Sequence, residues 1–92
     1  MAKWSVLLSA YAEAELAGLT KSIQEDIVGR FAWFAENFDS LPPVPLHADW
    51  RGYYKLRVGD YRIAYKINYE SHLLLIERIR HRSVAYKKKG RR

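Results

Sequence analysis

Residues 50–66, WRGYYKLRVGDYRIAYK, alternate polar and apolar side chains on either side of Gly59-Asp60, a pattern that a β-hairpin satisfies and a helix does not. A two-residue loop made of Gly59 and Asp60 pairs Val58 with Tyr61 and sets Arg57 directly opposite Arg62. Lys55 and Lys66 fall on the same face, because strand side chains alternate with a period of two. The other face is apolar: Trp50, Tyr54, Leu56 and Val58 on one strand, Tyr61, Ile63, Tyr65 and Ile67 on the next. One face is therefore suited to a core and the other to a polyanion. Like charges directly opposite each other cost a few tenths to about 1 kcal/mol, a cost that an anion between them removes. A phosphate is the expected anion. The plain alternative is a solvated face whose Lys and Arg serve solubility.

Charge along the chain favours the anion. Residues 1–46 hold three Lys/Arg against six acids, a net of −3, while residues 47–92 hold thirteen against four, a net of +9, together the +6 of the whole chain. Such an asymmetry predicts a dipolar surface whose basic side meets nucleic acid, an anionic membrane or an acidic protein. Ninety-two residues suit one domain over 1–92, and 49% apolar with 14% aromatic content excludes a disordered chain. The absence of cysteine rules out a disulfide framework and is compatible with a reducing cytoplasm, the expected location. The apolar run near the N-terminus is interrupted by Glu13 and Glu15 too early for a signal or membrane segment, so a soluble protein without membrane contact is expected.

Residues 3–8 read as a strand. From Ser9, a plausible N-cap, an Ala- and Glu-rich helix runs to Gly18, and a second begins near Thr20 or Ser22, where Ser22 and Glu25 fit a capping box. Ile23, Ile27, Phe31, Phe34 and Phe38 then mark its buried stripe. Residues 41–46, LPPVPL, end the helical part and cross to the sheet. Segments 49–58, 60–68 and 72–79 read as strands, the last nearly continuously apolar. The order β-α-α-β-β-β predicts an α+β fold, an antiparallel sheet with a helical hairpin on one face and the basic face open. Residues 87–92 read as a flexible basic tail.

His47, His72 and His81 share no ligand spacing, no Gly-rich phosphate loop is present, and no nucleophile elbow occurs, so neither a metal nor another cofactor is expected. The functional groups left are Lys, Arg, Tyr and His81. They suffice for RNA cleavage by the substrate's own 2′-hydroxyl, which needs the phosphate held in line, its oxygens neutralised and two protons moved. Arginine suits the phosphate oxygens because its fork is bidentate and always charged.

The run YKLRVGDYRIAY at residues 54–65, followed by RHRSVAY at residues 80–86, resembles the RelE/ParE superfamily of toxins from type II toxin–antitoxin pairs. For the RelE branch the resemblance implies a metal-independent endoribonuclease that cuts messenger RNA in the ribosomal A site, and a cognate acidic antitoxin that blocks it. It matches Lys55 to the family's central strand lysine and Arg62 to its phosphate-contacting arginine, with Arg57 beside them. Arg80 or Arg82 matches an arginine near the end of the last strand, and Tyr86 a tyrosine that stacks on a base. Tyr53 stands where the best-known members carry a second lysine, so His81 is a candidate for part of the proton transfer and Lys55 for base or electrostatic support. Arg51, Lys66 and Arg78, with Lys87, Lys88 and Lys89, are expected to extend RNA binding. A ParE-like inhibitor of DNA gyrase and a non-catalytic RNA- or ribosome-binding module are the alternatives.

Overall fold

The computed structural model describes residues 3–85, so Tyr86, Lys87, Lys88, Lys89 and the tail expected at 87–92 lie outside the described residues. Five strands, β1 (Ser5–Leu8), β2 (Val44–Pro45), β3 (Tyr54–Val58), β4 (Tyr61–Asn68) and β5 (Leu73–His81), form one sheet in the order β1-β5-β4-β3-β2. Two helices, α1 (Ala10–Ala17) and α2 (Lys21–Asn37), follow β1. The α+β class and the element order agree with the sequence, but the sheet is mixed. β1 runs parallel to β5, with Ser5 opposite Leu73 and Leu8 opposite Ile76, while the other pairs are antiparallel. A strand whose chain leaves through helices and re-enters at the far edge can meet its neighbour in the same direction, which a hairpin cannot do. β2 is a short edge strand inside the segment expected to be only a crossing.

Local chemistry explains the helices. Ser9 accepts the Ala12 N–H at 3.0 Å as N-cap of α1, and its own hydroxyl donates to the Glu77 carbonyl at 2.7 Å. The N-cap of α2 is Thr20, which accepts the Ile23 N–H at 3.4 Å; Ser22 lies inside the helix, so the Ser22/Glu25 capping box does not form. The Gln24 amide donates back to the Leu16 and Leu19 carbonyls at 3.0 and 3.1 Å, closing the C-terminal end of α1.

The stripe read from the sequence of α2 faces the sheet. Ile27, Phe31, Phe34 and Phe38 are buried against Val58, Ile63, Tyr65, Leu74, Ile76 and Ile79. Ile76 and Ile79 are three apart, an odd step that would put them on opposite faces of a regular strand. A bulge resolves this: Ala64 pairs with Arg78 but Tyr65 pairs with Ile76, leaving Glu77 as an extra residue. The same extra residue turns Arg78 and Arg80 onto the face of Ala64 and Arg62, away from α2.

α1 lies along β5 where β1 no longer covers its edge. The Ser9 N–H donates to the Ile76 carbonyl at 2.8 Å, and the Glu15 carboxylate accepts the Ile79 N–H at 2.7 Å. An exposed strand edge is thus closed by a helix and its side chains.

The strand expected over residues 49–58 begins only at Tyr54. Ala48–Trp50 forms a short 3₁₀ turn, entered through Ala48 at φ +57° and left through Gly52 at φ +93°. Both are left-handed conformations, which glycine adopts readily and alanine only at a cost. The turn breaks the alternation, so Trp50 does not join Tyr54, Leu56 and Val58 on the helix side. It packs with Tyr53, Ala64 and Leu46 in a second, smaller cluster on the other face.

Candidate nucleic-acid interface

The β3–β4 hairpin has the register read from the sequence: Val58 opposite Tyr61, Arg57 opposite Arg62, Lys55 opposite Ala64. Gly59 has φ +56°, whereas Asp60 is not left-handed. That is the signature of a turn whose first central residue alone needs positive φ, hence glycine there. β5 then sets Arg80 opposite Arg62. Arg57, Arg62 and Arg80 therefore stand abreast on three adjacent strands, on the face that the helices leave uncovered. Of the two arginines that the sequence left open, Arg80 is the one in this row. Arg82 lies in the following turn, where its N–H donates to the Asp60 carbonyl at 2.8 Å and its guanidinium sits 3.8 Å from the Asp60 carboxylate.

The three arginines are not equally restrained. Arg62 Nη1 donates to the Gly59 and Tyr61 carbonyls at 2.9 and 3.2 Å, which holds the guanidinium against the hairpin turn. Lys55, Arg57 and Arg80 make no ion pair among the described residues. Three cations held within neighbouring strand spacings, with no carboxylate between them, form a ready anion site.

His81 ends β5 opposite Tyr61, and their rings meet edge-on with centroids 5.5 Å apart. It therefore belongs to Tyr61's side of the strand end, yet it also lines, with Arg62, Arg82, Ser83 and Ala85, a shallow recess beside the arginine row. Its Nδ1 accepts the Ser83 N–H at 3.2 Å and lies 3.0 Å from the Ser83 hydroxyl. A backbone N–H can only donate, so a neutral ring carries its proton on Nε2.

The flanking groups are more dispersed. Lys66 lies on the same face, its ammonium 5.0 Å from the centre of the Tyr53 ring. Tyr53, which stands where the family lysine was expected, is buried edge-on to Trp50. The open face is therefore covered in part by this aromatic cluster. Arg51 is exposed in the turn before β3, off the strand alternation. Arg78 is engaged: its Nε and Nη2 donate to Glu15 at 2.9 and 2.6 Å, and its guanidinium lies 5.1 Å from the Tyr11 ring centre. No periodicity signalled Glu15 as its partner, because the two are 63 residues apart. Toward β1 the same face turns apolar, with Leu7 largely exposed opposite Leu75.

Among the described residues no group of three His, Cys, Asp or Glu is placed to hold a metal ion, and no helix is long and apolar enough to cross a membrane.

A family model described as the ParE toxin of type II toxin–antitoxin systems, parDE, matches residues 6–86. The toxin–antitoxin complex RelBE2 from Mycobacterium tuberculosis contains a chain that is 26% identical, with a TM-score of 0.77, over 88% of this chain and 100% of that one. A chain of the archaeal RelE–RelB complex from Pyrococcus horikoshii is 18% identical, with a TM-score of 0.69, over 89% and 98%. One of the Escherichia coli DinJ–YafQ toxin–antitoxin complex is 19% identical, also at 0.69, over 94% and 100%. The last two speak for the fold. No curated protein matches in sequence.

Proposed function

We propose that this chain, which belongs to the ParE toxin family of type II toxin–antitoxin systems and so to the RelE/ParE superfamily that its sequence resembles, is a toxin that cuts messenger RNA on the ribosome and is held in check by an acidic antitoxin. One observation carries the reading: Arg57, Arg62 and Arg80 stand abreast, with no acid paired to them among the described residues. A row of like charges is unfavourable for a sheet and favourable for a trigonal-bipyramidal phosphorane.

In this scheme the 2′-oxygen of the substrate forms a bond to phosphorus as the bond to the 5′-oxygen breaks. A 2′,3′-cyclic phosphate and a free 5′-hydroxyl result. Arg62, oriented by the turn carbonyls, holds the scissile phosphate; Arg57 and Arg80 stabilise the charge that builds on its non-bridging oxygens. Lys55 takes the 2′-hydroxyl proton or supports it electrostatically. The imidazolium form of His81, its Nδ1–H turned to the Ser83 hydroxyl 3.0 Å away, delivers the Nε2 proton to the departing 5′-oxygen and is left as neutral imidazole. Arg82 at the rim, and Arg51, Lys66 and Arg78 with Lys87, Lys88 and Lys89, add sequence-independent RNA affinity, and Tyr86 stacks on a base. The cytoplasm is where such a toxin would meet translating ribosomes.

Primer extension on messenger RNA, with translating ribosomes present or absent, tests this. Cuts that require ribosomes and vanish in Arg62→Ala and Tyr86→Ala are expected; intact message in every lane overturns the nuclease. The family label favours a second reading, a ParE-like inhibitor of DNA gyrase, and loss of supercoiling by purified gyrase in the presence of this protein would support that instead. RNA that is bound but never cut in either assay would leave a non-catalytic RNA- or ribosome-binding module.

A further inference from the structure

A groove of about 470 Å³ lies between β3 and the chain that leads from α2 into β2, with Leu41 and Pro42 in its wall. That volume falls within the roughly 300–1,000 Å³ of small-molecule sites. Its lining changes sides. Trp33 and Phe34 of α2, with Leu56 and Tyr65 of the sheet, belong to the helix side, whereas Lys55, Arg57 and Arg62 belong to the arginine side. The groove therefore joins the arginine row to the surface of α2.

Its two ends differ in chemistry. The stripe that seats α2 on the sheet runs through Ile27, Phe31, Phe34 and Phe38 and leaves Trp33 out. Trp33 is 44% exposed, with the Arg30 guanidinium 5.0 Å from its ring centre, while Trp4 and Trp50 are 8% and 4% exposed. At the other end stand three cations, and no acid lines the groove among the described residues. A ligand suited to both ends carries a flat aromatic ring joined to an anion. A nucleotide of single-stranded RNA is such a ligand, its base stacking on an aromatic side chain and its phosphate pairing with Lys and Arg. No carboxylate, amide or imidazole in the lining reads the edge of a base, so the base is held by its face and purines and pyrimidines are both accepted.

We propose that this groove takes the base of a nucleotide next to the phosphate held by the arginine row, stacked on Trp33 between Leu41 and Leu56. The inference rests on the nuclease reading for the identity of the strand and adds a grip on α2 to it. Holding the neighbouring base restrains the sugar–phosphate backbone at the scissile bond, which in-line attack requires.

The test is tryptophan fluorescence of the full chain, in which Trp33 is the exposed indole. A 2′-O-methyl RNA tetramer, which lacks the nucleophile and cannot be cut, is titrated beside an abasic oligomer with the same number of phosphates. Quenching by the first and not by the second is expected. Trp33→Ala should bind the tetramer roughly 5- to 150-fold more weakly, the range for loss of one base–aromatic stack. Trp33→Phe should lose the quench and keep most of the affinity, and Arg57→Ala should weaken both oligomers alike. No quenching up to millimolar tetramer, equal quenching by the abasic oligomer, or affinity indifferent to Trp33→Ala in a protein with unchanged thermal melting overturns the inference. The comparison of the two oligomers on the wild-type chain stands even where a variant fails to fold. None of these readouts involves cleavage, so their failure leaves the nuclease reading to primer extension with ribosomes.

Discussion

The two faces of the β3–β4 hairpin are built from alternate residues of the same strands and obey opposite rules. Toward the helices, Val58, Ile63 and Tyr65 are buried in a continuous apolar cluster in which neighbouring contacts support one another. On the other side, Arg57 faces Arg62, and Arg62 faces Arg80, an arrangement that favours separation of the strands. The contrast teaches that the core holds in register a set of charges that would not assemble alone. Stability and activity should then be separable by which face a substitution touches.

The largest effects fall on the buried face. Ile63 is fully buried, and Ile63→Ala should cost about 2–5 kcal/mol through lost transfer energy and the cavity left behind. Urea unfolding measures this, and the loss is a large fraction of the roughly 5–15 kcal/mol by which a typical domain is stable. Arg57→Ala on the opposite face should do the reverse. Cleavage should fall roughly 100- to 1,000-fold, as for loss of one donor to a developing oxyanion. Stability should hold or rise by a few tenths to about 1 kcal/mol as the like-charge pair is removed. An Arg57→Ala protein that is both inactive and unstable would break the comparison, because the open face would then be structural.

How much of this contrast could be read beforehand depends on the range of the interactions involved. The Gly59-Asp60 turn, the Arg57/Arg62 register and the Ile27–Phe38 stripe are local, governed by turn chemistry and by periods of two and 3.6. They were legible. What failed to show involved single residues that break a period or partners distant along the chain. Ala48 and Gly52 in left-handed conformations cut short the expected strand and sent Trp50 to the other face. The Glu77 bulge was hidden in a run so apolar that either register looked buried, and it alone decides that Arg80 joins Arg62. β1 pairing parallel to β5 is a long-range event with no local signature. The roles of Lys55, Arg62 and His81 came from family resemblance, whereas the neighbours that restrain them, Gly59 and Ser83, came from the structure.

Glu15 joins the two regimes, being an acid of the helical half that reaches round the edge to the basic half. Its carboxylate satisfies the buried Ile79's N–H and pairs with Arg78. Glu15→Ala should destabilise by about 1–3 kcal/mol, since an edge amide loses its acceptor. It should also release Arg78 toward the arginine row, making non-specific RNA binding steeper in salt by up to about one phosphate's worth of slope. A stability loss with an unchanged salt slope would mean that Arg78 finds another tether.

The smallest effect is at Tyr65, where the core face contains an ionisable group. Burial, with Tyr69 and Tyr54 adding to it, pushes its phenol well above the ordinary value of 10.0. In the native state it therefore stays protonated while the unfolded chain begins to lose that proton near pH 10. The unfolded state then binds fewer protons than the native state, and stability falls as pH rises above that point; below it, the contribution is fully present. At pH 8, Tyr65→Phe should be nearly neutral, because the ring keeps its edge-on contact with Phe34, centroids 5.1 Å apart. At pH 11, one unit beyond the unfolded value, the phenylalanine protein should have gained roughly 1 kcal/mol on wild type. Unfolding midpoints at the two pH values measure the difference. An identical alkaline loss in both proteins would assign it to other groups and leave the buried face electrically silent, making its contrast with the arginine face complete.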